Sequence, residues 1–384
     1  MAATTSPSLS PIPFNRSHIP AKALAYMQQA MENGHISGNG PFTRRAEELI
    51  GSIVGTKALL TTSCTDALEM AALLLEIGPG DEVIVPSFTF VSTVNAFVLR
   101  GARAVFCDIR PDTLNMDESA LDHLITPRTK AIVPVHYAGV GCAMKEILDV
   151  ARKRGVAVIE DNANGLFGKY SGQLLGTFGR FAALSFHETK NISCGEGGAL
   201  LLNQPDDLIR AEILREKGTD RARFFRGEVD KYSWVDIGSS FLPSDLLAAL
   251  LCAQLEEREN IQRARKRIWD CYAAHLTAWA GERGASLPFV PSHCEQPFHM
   301  FYLLMRSTKQ RDSLISFLKS RHILSVFHYL PLHLSDMARR YAAHEPQCPV
   351  TEDVSGRLVR LPFYVGLSEA DQMRVVEAIL EFHG

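Results

Sequence analysis

Between Lys57 and Asp161 short apolar runs recur with helix-patterned segments between them. ALLT (58–61), EVIVP (82–86), RAVFCD (103–108), AIVPVHY (131–137) and VAVIED (156–161) are near-continuous apolar runs of strand length. Thr65–Leu75, Val91–Leu99 and the stretches 117–125 and 143–153 carry helical spacing. Strands without alternation are buried on both faces, and regular strand–helix alternation makes a parallel sheet covered by helices. The pattern predicts an α/β fold built on a large, mostly parallel sheet. A chain of 384 residues is too long for one small core, so a second domain is expected.

Open α/β sheets bind ligands beyond the carboxyl ends of their strands, so the residues that follow each strand are the candidates for chemistry. The run Phe181–Leu184 leads into SFHETKN (185–191) and then into the glycine-rich GEGGALLL (195–202), which puts Lys190 on a turn at that edge. A lysine amine there can condense with a carbonyl carbon, although a lysine in a polar turn is more often a solvated surface group. VAVIED delivers Asp161 to the same edge. A carboxylate suits the ring nitrogen of an electron-withdrawing heterocyclic cofactor; Glu160-Asp161 equally suits a helix cap or a surface pair. TTSCTDAL (61–68) leads small hydroxyl residues into a helix start. Free N–H groups and the helix dipole favour an anion there, and Ser63 or Thr65 equally serves as a plain N-cap. PSFTFVST (86–93) brings Phe88 or Phe90 to the edge, as a stacking platform or as core.

EDNANG (160–165), SFHETKN and GEGGA, in this order, resemble the DegT/DnrJ/EryC1/StrS family of sugar-nucleotide aminotransferases. The likeness runs from about Asn15 to the C-terminus. It is closest to the branch that makes TDP-4-amino-4,6-dideoxygalactose, through SCTDALEMAALLLEIGPGDEVIVPSFTFVSTVNAFVLRGA, DIRPDTLN and IVPVHYAG. The resemblance implies the PLP-dependent aspartate-aminotransferase-like fold (fold type I), with a small α+β C-terminal domain. It implies pyridoxal 5'-phosphate as cofactor, a nucleotide-linked 4-keto-6-deoxy sugar as substrate and L-glutamate as amino donor. Carried over residue by residue, it makes Lys190 the covalent anchor and general acid–base, and Asp161 the partner of the ring nitrogen. Cys64, Thr65 and Ser185 fall at the phosphate, Phe90 against the ring and Asn164 at the phenolic oxygen. Asn191, His328, Tyr329 and His333 become candidates for sugar or diphosphate contacts.

Four positions depart from what many relatives carry. Many members read Glu-Asp-Ala-Ala-Gln where this chain has Asn162 and Asn164. Ser240 stands where many relatives carry an asparagine that reaches the partner subunit's phosphate, as in the branch named above; the resemblance therefore implies an obligate homodimer with shared sites. Asp220 stands where that branch can carry asparagine. Rival readings are a sugar dehydratase or a 3-aminotransferase of the same fold, and a catalytically dead binding homologue. Some relatives with histidine in place of the lysine act as dehydratases; Lys190 favours transamination here.

The net charge of −3, with Lys and Arg scattered, gives no electrostatic case for nucleic acid or a membrane surface. Eight separated cysteines form no C-x-x-C pair, and His322, His328 and His333 lack helical spacing and carboxylate company, so no metal site is expected. No secretory or membrane-length apolar run is present, and reduced thiols fit the cytoplasm. The expected organisation is a disordered Ser/Pro/Thr-rich leader over 1–14, a large cofactor-binding domain over 15–250, and a linking helix with a small domain over 251–384.

Overall fold

The computed structural model describes residues 10–384. Seven strands form the central sheet: β1 (Lys57–Thr61), β2 (Glu82–Pro86), β3 (Arg103–Cys107), β4 (Thr129–Ile132), β5 (Ala157–Asp161), β6 (Phe181–Ser185) and β7 (Gly198–Leu202). Their order is β1-β7-β6-β5-β4-β2-β3. The strands β6, β5, β4, β2 and β3 are mutually parallel, and β7 runs antiparallel to both β1 and β6. The expected mostly parallel sheet is therefore present. Its one reversed strand follows from the short connection through Lys190, which has no crossover helix and returns the chain directly beside β6.

Side chains leave each strand on alternate faces and enter different cores. Val83, Val85 and Leu59 pack with Leu68, Phe97 and Phe106 on one face. Ile84 and Val158 pack with Ile147 and Ala151 on the other, beside a neighbouring cluster of Ala58, Leu60, Ile50 and Leu255. A separate core gathers Tyr272, Phe301, Leu314, Leu318, Val375 and Ile379. It joins the long helix Arg258–Arg283, the helices Thr308–Ser320 and Glu369–Leu380, and the antiparallel strands Tyr302–Leu304 and Leu358–Arg360.

Two expectations need correction. Residues 1–9 of the expected leader lie outside the described residues, but 10–14 do not behave as a leader. Ile12 is buried in the C-terminal core, donates its N–H to the His322 carbonyl at 2.8 Å and accepts from Leu324 N–H at 3.0 Å. An apolar side chain with a free strand edge to pair with outweighs the flanking prolines. The strand expected over 131–137 is regular only to Ile132. Pro134 cannot donate to the ladder, and the chain passes into a short 3-10 turn at Tyr137–Gly139.

The end of β5 is held by a buried clamp. Glu160 and His136 are both fully buried, with Nε2 to Oε2 at 2.9 Å. The same carboxylate accepts backbone N–H groups from Gly176 at 2.7 Å, Phe178 at 2.7 Å and Gly179 at 2.8 Å. His136 Nδ1 accepts from Cys142 N–H at 3.2 Å, so its proton sits on Nε2 and points at Glu160. Removing the carboxylate strands four donors, three of them buried. Glu160→Ala is expected to cost about 3 kcal/mol or more, read as a lowered midpoint of urea unfolding, while Glu160→Gln should cost less.

Candidate active site

The carboxyl ends of β1, β2, β5 and β6 open into one cavity of about 570 Å³, a size suited to a small-molecule ligand. Lys190, Asp161, Asn164, Cys64, Thr65, Phe90, Ser185, His328 and Tyr329 all line it. These nine come from segments separated by up to 265 positions, so their convergence is a product of the fold.

Asp161 ends β5 on the face opposite Glu160 and turns into the cavity. Its Oδ2 accepts from Thr93 Oγ1 at 2.7 Å and its Oδ1 from Ala163 N–H at 3.2 Å. Thr93 belongs to the helix Ser92–Val98 that follows the Phe90 loop, and is itself bonded to Thr89 Oγ1 at 2.8 Å. Two local donors thus fix the carboxylate before any ligand arrives.

Lys190 sits in a turn closed by its own N–H donating to the His187 carbonyl at 2.9 Å. Its Nζ donates to Asn164 Oδ1 at 3.3 Å. Burial pushes the Lys190 amine below its ordinary value; the nearby Cys64 and Asp161 oppose the shift, and Arg360 adds to it. A lowered value favours the free amine, the form that attacks a carbonyl. Burial raises the Cys64 thiol well above its usual range, with Asp161 adding to it, which keeps it a neutral wall of the cavity.

The turn after β1 starts the helix Cys64–Leu74. Ser63 is the N-cap, its hydroxyl accepting from Asp66 N–H at 3.1 Å, and Thr65 Oγ1 donates to Ser92 Oγ at 2.8 Å. Capping by Ser63 is therefore real, and the helix start still faces the cavity. Gly198 of β7 backs this turn so closely that a Cβ there would lie 2.3 Å from the Ser63 carbonyl carbon. Phe90 is 57 % exposed, unlike Phe88, which is buried in the core. A ring left open at a cavity mouth fits a planar ligand.

Three candidates lie elsewhere. His333 is buried between Ser87 Oγ at 2.6 Å and Glu352 at 3.1 Å and does not line the cavity. Asn191 donates to the Pro297 carbonyl at 2.6 Å and accepts from His299 Nδ1 at 2.9 Å. Its amide is spent on protein partners, so it orients His299, which does line the cavity. Ser240 is exposed and outside the cavity lining. Of the departures, Asn162 points away from the cavity and donates to the Leu175 carbonyl at 2.9 Å. Asp220 accepts Ser233 N–H at 2.7 Å and closes a surface loop.

Sequence reading missed Thr93, His299 and Arg360. Thr93 had a signal, a hydroxyl three residues past the exposed phenylalanine at a helix start. Arg360 had one too, a lone cation inside the apolar run LVRLPFYV. His299 had none. Burial, with Lys190 and Arg265 adding to it, holds His299 well below the ordinary histidine value. With its Nδ1 proton on Asn191, its free Nε2 is an acceptor. Burial, Arg360 and Lys190 likewise keep His328 neutral, its Nδ1 2.9 Å from the Tyr137 hydroxyl.

A model of the DegT/DnrJ/EryC1/StrS aminotransferase family matches residues 18–380. The chain is 32% identical over 377 residues to the spore coat polysaccharide biosynthesis protein SpsC of Bacillus subtilis, covering 96% of each chain. It resembles the crystal structure of the aminotransferase TlmJ from Streptoalloteichus hindustanus with a TM-score of 0.88 at 29% identity, covering 96% of this chain and 97% of that one. It also resembles the PLP form of the putative sugar aminotransferase Spr1654 from Streptococcus pneumoniae, with a TM-score of 0.88 at 27% identity over 96% and 98% of the two chains.

The field around Lys190 makes a prediction for the cofactor-free protein. Labelling of Lys190 by a small aromatic aldehyde with cyanoborohydride, followed by mass spectrometry across pH, should rise through a midpoint below that of exposed lysines. Asp161→Asn removes a charge that raises the amine and should move the midpoint further down; Arg360→Gln should move it up.

Proposed function

The chain belongs to the DegT/DnrJ/EryC1/StrS aminotransferase family, and from that premise we propose that it transfers an amino group from L-glutamate to carbon 4 of a nucleotide-linked 4-keto-6-deoxy sugar, TDP-4-keto-6-deoxyglucose in the first instance. The protein is a transaminase of a PLP-dependent family. The observation that carries the site assignment is the convergence of Lys190 and Asp161 in one cavity, with Asn164 on the lysine amine.

The residues present fit the cofactor. The Ser63-capped helix start, with Thr65, Cys64 and Ser185 around it, offers N–H and hydroxyl donors to a phosphate. The close approach of Gly198 holds that turn in place. Asp161, pre-oriented by Thr93 and Ala163, is the carboxylate for a ring nitrogen, and Phe90 is the open aromatic face. Asn164 keeps the amide that the family's glutamine supplies. Pyridoxal phosphate, when bound, supplies the electron sink that makes proton loss at the amine-bearing carbon feasible.

Lys190 would hold the cofactor covalently, and its amine would move the proton between the cofactor carbon and the sugar carbon as a general acid–base. The depressed amine suits that role, because a base must be free of its proton near the operating pH. Asp161 would stabilise positive charge on the cofactor's ring nitrogen. Neutral His328, held by Tyr137, and Tyr329 stand on the opposite wall as hydrogen-bonding contacts for the sugar. His333 and Asn191 act indirectly, by fixing the loop 328–334 and His299.

A homodimer with shared sites is part of the proposal. Phe225, Trp234 (80 % exposed), Val235 and Ile237 form an exposed apolar segment leading to Ser240. Such a segment on one chain fits an interface, and the family resemblance assigns Ser240 to the partner's phosphate site. All eight cysteines are free thiols, which supports a reducing, cytoplasmic setting. No helix among the described residues is long and apolar enough to cross a membrane.

Incubation with TDP-4-keto-6-deoxyglucose and L-glutamate is expected to give a 4-amino sugar nucleotide by NMR; a 3-amino or dehydrated product would refute the regiochemistry. Lys190→Ala should lose both the cofactor's absorbance and turnover, and Asp161→Asn should lower turnover by about 100-fold or more. Light scattering should give about twice the 42.4 kDa chain mass, and Trp234→Glu should shift the protein toward monomer with loss of activity.

A further inference from the structure

The segment 297–299 is held more firmly than an ordinary loop. Its three carbonyls take four hydrogen bonds from the side chains of Asn191, Gln262 and Arg265. Pro297 accepts from Asn191 Nδ2 at 2.6 Å and from Gln262 Nε2 at 3.2 Å. Phe298 accepts from Arg265 Nε at 2.9 Å, and His299 from Arg265 Nη2. Arg265 is buried, and burial, with no acidic neighbour to oppose it, pushes its guanidinium down to about 9. A buried cation without a counter-ion is unfavourable, yet this one is turned wholly to two backbone carbonyls. Phe298 between them stands at φ 53, in the left-handed region that bulky residues avoid. Such strain persists only where the surroundings over-determine it, and it concentrates at functional sites.

What this frame aims is the His299 ring. With the Asn191 amide nitrogen on Pro297, the amide oxygen is left to accept from His299 Nδ1 at 2.9 Å. The ring proton therefore sits on Nδ1, and Nε2 keeps its lone pair. His299 lines the cavity, one hydrogen bond away from the residue that follows Lys190. Among the described residues nothing donates to Nε2. Burial and the charge of Lys190 keep the ring neutral, so it stays an acceptor.

We propose that His299 is a specificity residue, its Nε2 accepting from the hydroxyl on carbon 3 of the keto sugar, next to the carbon that is aminated. The other occupants of the cavity lack a suitable donor. Pyridoxal phosphate presents acceptor oxygens, and its ring nitrogen is assigned to Asp161. Glutamate presents carboxylates and the amine that reacts. The Lys190 amine is turned to Asn164. A sugar hydroxyl is the donor that remains, and the nearness of His299 to Lys190 selects one beside the reacting carbon. A polar site left unpaired rejects the analogue that lacks the matching group.

This assignment rests on the reading of the substrate as a 4-keto sugar and extends it to the neighbouring carbon. Wild-type kcat/KM for TDP-4-keto-6-deoxyglucose should exceed that for its 3-deoxy counterpart by about 10-fold or more. His299→Phe keeps a ring without the acceptor and should shrink that ratio to within about threefold, through loss on the hydroxylated sugar. His299→Gln keeps an acceptor oxygen and should give a ratio in between. A merely structural role would lower both sugars together and leave the ratio as it is. Conversion of the cofactor spectrum by L-glutamate alone supplies a second comparison: the loss on the hydroxylated sugar in His299→Phe should exceed any loss there by about fivefold or more. Equal wild-type efficiency on the two sugars, or a full ratio in His299→Phe, would overturn the assignment and leave the amination of carbon 4 standing. No amination of either sugar by the wild type would overturn both.

Discussion

Two adjacent carboxylates at the end of one strand face opposite ways, and the rest of the site is built on that. A strand turns successive side chains to opposite faces, so Glu160 goes into the protein and Asp161 into the cavity. Glu160 takes four hydrogen bonds, three of them from buried donors. That saturation fixes the last residues of β5 and with them the direction of Asp161. The residue with no access to ligand is thus the one that aims the residue with access.

Preorganisation continues outward from there. Thr93 and the Ala163 N–H hold the two oxygens of Asp161, and Asn164 meets the Lys190 amine from the loop that follows. These contacts lie within a few residues of the strand ends and exist without ligand. The opposite wall comes from the C-terminal part of the chain, where His328, Tyr329 and Arg360 are mounted on the small sheet and its flanking loop. The conversion chemistry sits on one core and much of the substrate wall on another, an arrangement that lets the wall vary while the chemistry stays.

How far the sequence could be read follows the range of the contacts. The strand–helix alternation over 57–161 is local, and the sheet is as expected apart from the reversed β7. Asp161 and Lys190 were legible because one closes a strand and the other lies in the turn that follows a strand. Phe90 was separable from Phe88 only through family resemblance, because both lie in the same loop and burial alone distinguishes them. Asn162 and Asp220 looked like damage to a site. The fold turns both to structural work, one on the Leu175 carbonyl and one on Ser233 N–H. His333 and Asn191 were plausible contacts by position and are consumed by protein partners.

The sequence by itself determined the α/β architecture, the strand ends at which chemistry can occur, and the lysine–aspartate pair, because apolar period and strand termini are written in consecutive residues. Only the tertiary structure decided that Thr93 orients Asp161, that Asn191 serves His299, and that Arg360 enters the cavity without a counter-ion. Each of those depends on contacts across tens to hundreds of positions, and side chains that meet at such separations leave no pattern in the neighbouring residues of either partner.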